Sequence, residues 1–267
     1  MLKIFCSELI LLGKPVLQNV QDLMNIGCNN IELMQDGEGW DDIDGLWEHL
    51  VAELPKLGIA FTVHPAAWDI NLTSPIKELR DAAFLLHEKS IRFAHRIGAS
   101  QVVLHPGFSG SKSFDKARAR RIAGETAERL AAIAKPLGLR LAFENVGYHG
   151  SSIYTAGEYC HALDGMDDTL GYLLDTGHAH LNGWDSAGII ERLKNRLYGI
   201  HIHDNMADTD SHLPINDGSM DWKRIFAAMR SITGDCDLVL EYGPGIPVSR
   251  LREGFYILIK EVLSRIK

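Results

Sequence analysis

The stretch Tyr172-Leu173-Leu174-Asp175-Thr176-Gly177-His178-Ala179-His180 is an apolar run that ends abruptly in a carboxylate, a glycine and two imidazoles. It reads as a buried strand delivering metal-ligand side chains at its C-terminal end. Asp175 and His178 stand three residues apart across a glycine-containing turn, so both side chains can converge on one ion just beyond the strand. Whether they do depends on further ligands from elsewhere in the chain.

Outward from this stretch the same unit recurs. Short apolar strands are expected at 2–6, 30–34, 59–63, 101–104, 139–143, 172–175, 198–200 and 237–240. Helical spacing of apolar residues is expected between them, at 16–26, 44–57, 74–98, 114–137, 155–163, 185–195, 221–229 and 248–266. Ser74 and Pro75 read as N-cap and first helical residue of the third helix. Eight strands, each followed by a helix, describe a parallel sheet covered by helices, and the count of eight favours closure. The expected fold is α/β, a (β/α)8 TIM barrel forming a single domain over residues 1–267.

Composition agrees. The chain has 267 residues, 46% hydrophobic and 23% charged, enough for one large core. The apolar Leu9-Ile10-Leu11-Leu12 is interrupted by Glu8 on its N-terminal side, and no cleavage site follows, so no secretory signal is expected. No apolar run approaches the ~18 residues of a membrane span. Cys6, Cys28, Cys160 and Cys236 lack any CxxC spacing, so neither a disulfide framework nor a zinc ribbon is expected, and a reducing cytoplasm is the compartment that fits. A formal charge of −8 argues against a phosphate-backbone binder, although bound cations would offset it locally. The basic segment 112–121, with Lys112, Lys116, Arg118 and Arg120, reads as a solvated helix face.

His64, His105, Glu144, Asp175, His201 and Glu241 each follow immediately on an apolar strand. In a barrel all those ends open on one face, where such enzymes carry their active sites. His178, Asp210 and His212 fall in connecting loops on the same face. A lone histidine after a strand is ordinarily a hydrogen-bonded structural residue, and a buried glutamate ordinarily pairs with a lysine or arginine. Six such positions on one face, with no basic residue at a comparable strand end, point instead to a divalent metal. Imidazole suits zinc, whereas carboxylate-rich sites accept manganese, with magnesium also compatible. Five histidines and four carboxylates exceed what one ion takes. Either two or three ions sit together, or one is held and the remaining histidines contact substrate.

His49, His87, His95 and His161 fall on expected helices and read as solvated or capping residues. His180 and His203 are two residues from candidate ligands and read as their supports or as substrate contacts. Trp68, Trp184 and Trp222 follow motifs of the catalytic face and could equally wall a sugar-sized pocket or pack in the core. Lys112, Lys116 and Arg250 are candidate phosphate contacts.

Together these motifs resemble the xylose isomerase-like barrels, a family that includes sugar and sugar-phosphate isomerases and epimerases and the endonuclease IV group of abasic-site DNA repair enzymes. The carriers are His64 with Ile70-Asn71-Leu72, Leu104-His105-Pro106-Gly107, Phe143-Glu144-Asn145, Asp175-Thr176-Gly177-His178, His201-Ile202-His203-Asp204, Asp210-Ser211-His212-Leu213-Pro214 running to Gly218, and Leu240-Glu241. They span nearly the whole chain. In the isomerase branch the resemblance implies one divalent ion held by Glu144, Asp175, His201 and Glu241. The two glutamates then exchange a proton on opposite faces of an enediolate, and His178 contacts a substrate oxygen. In the endonuclease branch it implies three zinc ions on Glu144, Asp175, His201, Glu241, His64, His105, His178, Asp210 and His212.

Two departures count against DNA. The loop Pro65-Ala66-Ala67-Trp68-Asp69 lacks the tyrosine expected to enter a duplex, and the loop from Gln35 to Asp42 is acidic where phosphate would approach. The expected activity is therefore that of a metal-dependent sugar or sugar-phosphate isomerase or epimerase with Glu144 and Glu241 as catalytic residues and His178, His203 and Trp68 as substrate contacts. An endonuclease IV-like zinc phosphodiesterase is the alternative, and a non-catalytic metabolite sensor is a third reading. The expected partner is a small carbohydrate-like molecule, not nucleic acid or membrane. The sequence leaves the oligomeric state open.

Overall fold

The structure is a computed structural model and describes residues 1–41, 45–111 and 114–265. Eight parallel strands close into a barrel in chain order. They are β1 (Leu2–Ser7), β2 (Asn30–Met34), β3 (Ala60–His64), β4 (Gln101–Leu104), β5 (Arg140–Glu144), β6 (Leu170–Asp175), β7 (Leu197–Ile202) and β8 (Cys236–Leu240). Closure is made by β1 against β8, with Leu2 beside Cys236 and Cys6 beside Leu240. The connections carry α1 (Val16–Asn25), α2 (Leu46–Glu53), α3 (Lys77–Ile97), α4 (Lys116–Ala134), α5 (Ala156–Tyr159), α6 (Thr176–Leu181), α7 (Ser186–Leu193), α8 (Trp222–Met229) and α9 (Ser249–Glu261).

Two periodicities build this arrangement. Along each strand alternate residues point outward to the helices or inward to the barrel axis. Ile31 and Leu33 of β2 join the outer core, whereas Val103, Ala142 and Leu173 pack against one another in a separate cluster fed by three neighbouring strands. Along α3 the buried stripe is Ala83, His87, Ser90, Ile91, Ala94 and Ile97, the spacing of one helix face. The helix ends on Gly98 at φ +74, whose N–H reaches the carbonyls of Ala94 and His95. That left-handed cap turns the chain directly into β4.

The expected elements are found, with differences that have physical causes. Helix α3 begins at Lys77, not at Ser74-Pro75. The Ser74 carbonyl accepts from Arg80 Nη1 at 2.7 Å, and Ser74 Oγ accepts from the Ile76 N–H, so Ser74 closes a turn ahead of the helix. The segment after Asp175 is not a loop but helix α6, capped by Asp175 itself. His87 is not solvated. It lies on the buried stripe of α3 and donates from Nδ1 to the Ala83 carbonyl. His49, His95 and His161 are exposed as expected. Cys6 and Cys28 are joined as a disulfide, contrary to the expectation from spacing. The turn from α1 into β2 brings Cys28 back beside β1, with Cα atoms 6.4 Å apart, a proximity set by the βαβ geometry and not by any local motif. The expected start of the second helix at Asp44 and the candidate phosphate contact Lys112 lie outside the described residues. Among the described residues no helix is long and apolar enough to cross a membrane.

Candidate metal centre

All six strand-end side chains open on one mouth of the barrel. His64, Glu144 and Asp175 are the last residues of β3, β5 and β6, and His105 and Glu241 follow directly on β4 and β8. His201 lies one residue inside the end of β7 and is fully buried, so it sits deepest. Its Nδ1 is 3.3 Å from Glu241 Oε2, 3.5 Å from Glu144 Oε1 and 3.8 Å from Asp175 Oδ2. Three buried carboxylates from three strands therefore face one imidazole nitrogen.

Backbone and neighbouring groups fix which histidine nitrogen faces the cluster. His64 donates from Nδ1 to the Pro65 carbonyl at 2.7 Å, leaving Nε2 directed at Glu144 Oε2, 3.6 Å away. His212 donates from Nδ1 to the Glu241 carbonyl at 3.0 Å, leaving Nε2 toward Asp210 at 3.4 Å. His105 Nε2 is 2.9 Å from Glu144 Oε2. Helix α6 places His178 with Nε2 3.1 Å from Asp210 Oδ2 and Nδ1 3.5 Å from both Glu144 and Asp175. An imidazole anchored through one nitrogen and open at the other is the arrangement of a metal ligand held in place by its surroundings.

The site fits a divalent cation. Both ring nitrogens of His201, Nδ1 of His178 and Oδ1 of Asp210 are buried without a hydrogen-bond partner, and such atoms cost free energy unless something binds them. Among the described residues four triads have donor atoms within 4.8 Å of one another: His64/Glu144/His201, Glu32/His201/Glu241, Glu144/Asp175/His178 and His203/His212/Glu241. Nitrogen and carboxylate oxygen together suit zinc and manganese.

Protonation tells the same story. Burial raises the carboxyl of Glu144, but the imidazoles of His105 and His201 outweigh it and hold the group well below the usual range. Asp175, likewise opposed by burial, is held down to about 2 by His178 and His203. Burial would lower His64 and His212, yet Glu144 beside one and Asp210 beside the other raise both to about 9. For His105 burial prevails and its proton is held more weakly than usual. Protons on imidazoles thus balance the buried carboxylates, a role a metal cation takes over when it binds.

Above the cluster lies a cavity of about 500 Å³, within the size range of small-molecule sites. His64, His105, Glu144, His178, Asp210, His212, Glu241 and Trp68 line it, while Asp175 and His201 do not. The structure corrects several expectations here. His203 does not line the cavity. It is fully buried behind Asp175, with Nε2 3.0 Å from Asp175 Oδ2 and its ring stacked on His212. Trp222 is buried and donates to Asp204 Oδ2, and Trp184 packs against Tyr159, so of the three tryptophans Trp68 alone walls the cavity. His180 meets Ser219. Lys116 donates to the carbonyls of Gly150 and Ser152, and Arg250 pairs with Asp217 and Glu253, so neither reaches the cavity.

Three contributors were not singled out from sequence. Glu32, inside β2, points to the barrel axis and lies 3.1 Å from His201 Nε2. Asn145 exchanges hydrogen bonds with the Asp175 backbone, donating to its carbonyl and accepting from its N–H, which locks the ends of β5 and β6. Tyr148 lines the cavity with its ring parallel to His178. The period-2 alternation of Asn30-Ile31-Glu32-Leu33-Met34 was the available signal for Glu32.

A barrel with ligand-type side chains at the C-terminal ends of its strands defines the class, and the chain belongs to the xylose isomerase-like TIM barrel family, whose model matches residues 20–258. The chain is 29% identical over 176 residues to a probable endonuclease 4 of Thermoplasma volcanium, a match covering 61% of this chain and 59% of that protein. It therefore spans less than two thirds of that relative. Among solved structures it superposes on a D-tagatose 3-epimerase-like protein with a TM-score of 0.84 at 20% identity, covering 99% of this chain and 98% of the other. It also superposes on an IOLI protein with a bound zinc atom, TM-score 0.80 at 16% identity, over 98% of each chain.

Proposed function

We propose that this chain is a divalent-metal-dependent isomerase or epimerase acting on a sugar or sugar phosphate. One observation carries the reading: Glu144 and Glu241 are both buried and both line the same 500 Å³ cavity, and their strands, β5 and β8, stand on nearly opposite sides of an eight-strand barrel. The fold shared with a D-tagatose 3-epimerase-like protein and a zinc-binding IOLI protein supports it.

Glu144, Asp175, His201 and Glu241 would hold the ion. When bound, a divalent cation supplies positive charge for the oxyanion that develops as a proton leaves the carbon beside a carbonyl. Glu241 takes that proton at one face of the carbon and Glu144 returns one at the other, each by a carboxylate oxygen exposed to the cavity. His178, held by Asp210 through Nε2 and stacked on Tyr148, walls the cavity beside the substrate and helps set the position of the carbon between the two glutamates. Trp68, more than half exposed, stands at the rim of the cavity, where it can pack against a bound sugar.

An endonuclease-type phosphodiesterase is the second reading. It is favoured by the convergence of histidines and carboxylates on one mouth, with His105 beside Glu144 and Asp210 beside His178, and by the endonuclease 4 relative. Against it stand the acidic loop after β2 and the absence of a tyrosine or a basic cluster in the loop carrying Trp68. Metal analysis combined with two assays decides. The isomerase reading expects solvent deuterium to enter a ketose at the carbon beside the carbonyl. About three zinc ions per chain, cleavage of an abasic-site duplex and no sugar turnover would overturn it.

A further inference from the structure

The basic segment 112–121 at the start of α4 carries five cations, of which Lys116, Arg118, Arg120 and Arg121 fall among the described residues. Lys116 is spent on the carbonyls of Gly150 and Ser152, and Arg120 on the Ile153 carbonyl and Glu158. Arg118 has no side-chain partner among the described residues. It lines a second cavity, about 470 Å³, between the loop after β3 and the loop after β4. Arg80 of α3 lines the same cavity and, among the described residues, donates to the Ser74 carbonyl. Thr73 and Ser74, both buried, also stand in the wall, the Thr73 hydroxyl donating to Asn71 Oδ1 and the Ser74 hydroxyl oxygen accepting from the Ile76 N–H.

This cavity adjoins the catalytic one. Gly110 lines both. Asn71 marks the partition: its side chain donates to the Phe108 carbonyl and accepts from the Phe108 and Thr73 N–H groups, tying the two loops together. One carboxylate, Asp115, also lines the cavity, but it is engaged in capping α4 through the Arg118 N–H. Two guanidinium groups, the exposed Arg118 and the half-buried Arg80, thus line one cavity and can offer an anion paired N–H donors.

Resting on the isomerase reading, we infer that the Arg80–Arg118 cavity receives an oxyanion, a phosphate or carboxylate group carried at the far end of the substrate whose carbonyl end occupies the metal cavity. The chain would therefore act on an acidic sugar derivative in preference to the neutral sugar. Guanidinium groups suit this task because their paired N–H donors match the oxygens of such a group.

The test is calorimetric titration of the 267-residue chain with inorganic phosphate, a ketose monophosphate and the corresponding neutral ketose. Arg118→Gln is compared with Arg121→Gln, a cation of the same helix already paired with Glu125 and absent from the cavity wall. The expected result is tighter binding of the ketose phosphate than of the neutral ketose, competition by inorganic phosphate, and about ten-fold or greater weakening in Arg118→Gln alone. Phosphate bound at Arg118 without any preference for the phosphorylated sugar would overturn the assignment to substrate. Equal affinity of Arg118→Gln and the parent for every ligand would overturn the site. Both outcomes are independent of deuterium exchange, so failure of the isomerase reading is separately visible.

Discussion

Glu32 Oε1 lies 3.1 Å from His201 Nε2, and the other oxygen of Glu32 accepts from the Thr62 hydroxyl at 3.2 Å. The opposite nitrogen of His201 faces Glu144, Asp175 and Glu241. The carboxylate on the far side sets a negative charge beside Nε2 without hydrogen-bonding to it, and Nδ1 is the nitrogen that faces the other three carboxylates. Glu32→Gln is expected to keep the fold and weaken metal affinity about 10- to 100-fold, measured by competition with a chelator. Thr62→Val, which frees one oxygen of Glu32, should weaken it less. An unchanged affinity in Glu32→Gln would remove Glu32 from the support of His201.

Asp175 and Glu241 should separate under mutation. Asp175 caps α6 by accepting the His178 N–H at 2.6 Å and also holds His203, so Asp175→Ala loses a ligand, a helix cap and a histidine position at once. Loss of bound metal and a stability loss of about 1 kcal/mol or more are expected, the cap alone accounting for that much. Glu241→Gln keeps the shape of the site. It should retain the fold and most of the metal while stopping exchange of substrate hydrogen with deuterated solvent. Wash-in at the parent rate would exclude Glu241 as the base.

Metal affinity should rise with pH. His64 and His212 hold their protons up to about pH 9 in the metal-free protein, and an ion must displace those protons to use the ring nitrogens. Raising the pH from about 6 to 9 removes that competition, so a chelator titration repeated across this range is expected to give a steadily tighter site, with protons released on binding. Stripping the metal should lower the melting temperature most at high pH, where the ion binds tightest.

How much of this was legible follows from where each residue stands. Apolar strands ending in His64, Glu144 and Asp175 announce themselves, because a run without polar interruption must be buried and its first polar residue must emerge at an end. His201 was legible as a residue of the barrel mouth but not in its depth, since β7 continues through Ile202. Glu32 was hidden for the opposite reason: an acidic residue in the middle of an alternating strand reads equally as an outward, solvated position. Helix α6 was missed because a glycine and two histidines after Asp175 suggest a turn, and only the Asp175 cap shows that a helix starts there. Pairing of Cys6 with Cys28 depends on the return of the chain from α1 to β2, and the sharing of one cavity by Arg80 and Arg118 on the packing of α3 beside α4, neither of which a local pattern records.

Gly177 illustrates the same tight meeting of units and yields a packing prediction. A Cβ at this position would lie 2.0 Å from His203 Cε1 and 2.5 Å from its Nδ1. His203 cannot retreat easily, because its ring stacks on His212 and its Nε2 is bound to Asp175. Gly177→Ala is therefore expected to cost about 1–3 kcal/mol in urea unfolding and to weaken metal binding, through displacement of the Asp175–His203 pair. A stable variant with parent metal affinity would show that this packing is slack.

The buried His87 gives a pH signature remote in sequence from the metal ligands. Burial lowers its pKa from 6.5 to about 4, more than its bond to the Ala83 carbonyl restores. Above pH 6.5 the ring is neutral in both folded and unfolded chains, and its full contribution to stability is present. As pH falls from 6.5 toward 4 the unfolded chain takes up a proton that the folded chain refuses, so stability falls, by about 3 kcal/mol in the limit. Replacing His87 with leucine keeps an apolar group on the buried stripe of α3 and removes that proton. Urea unfolding of parent and His87→Leu at a series of pH values should therefore show curves that converge or cross as the pH drops below 6.5, the parent losing stability more steeply. Parallel curves over that range would mean that His87 takes up its proton in the folded chain as readily as in the unfolded one.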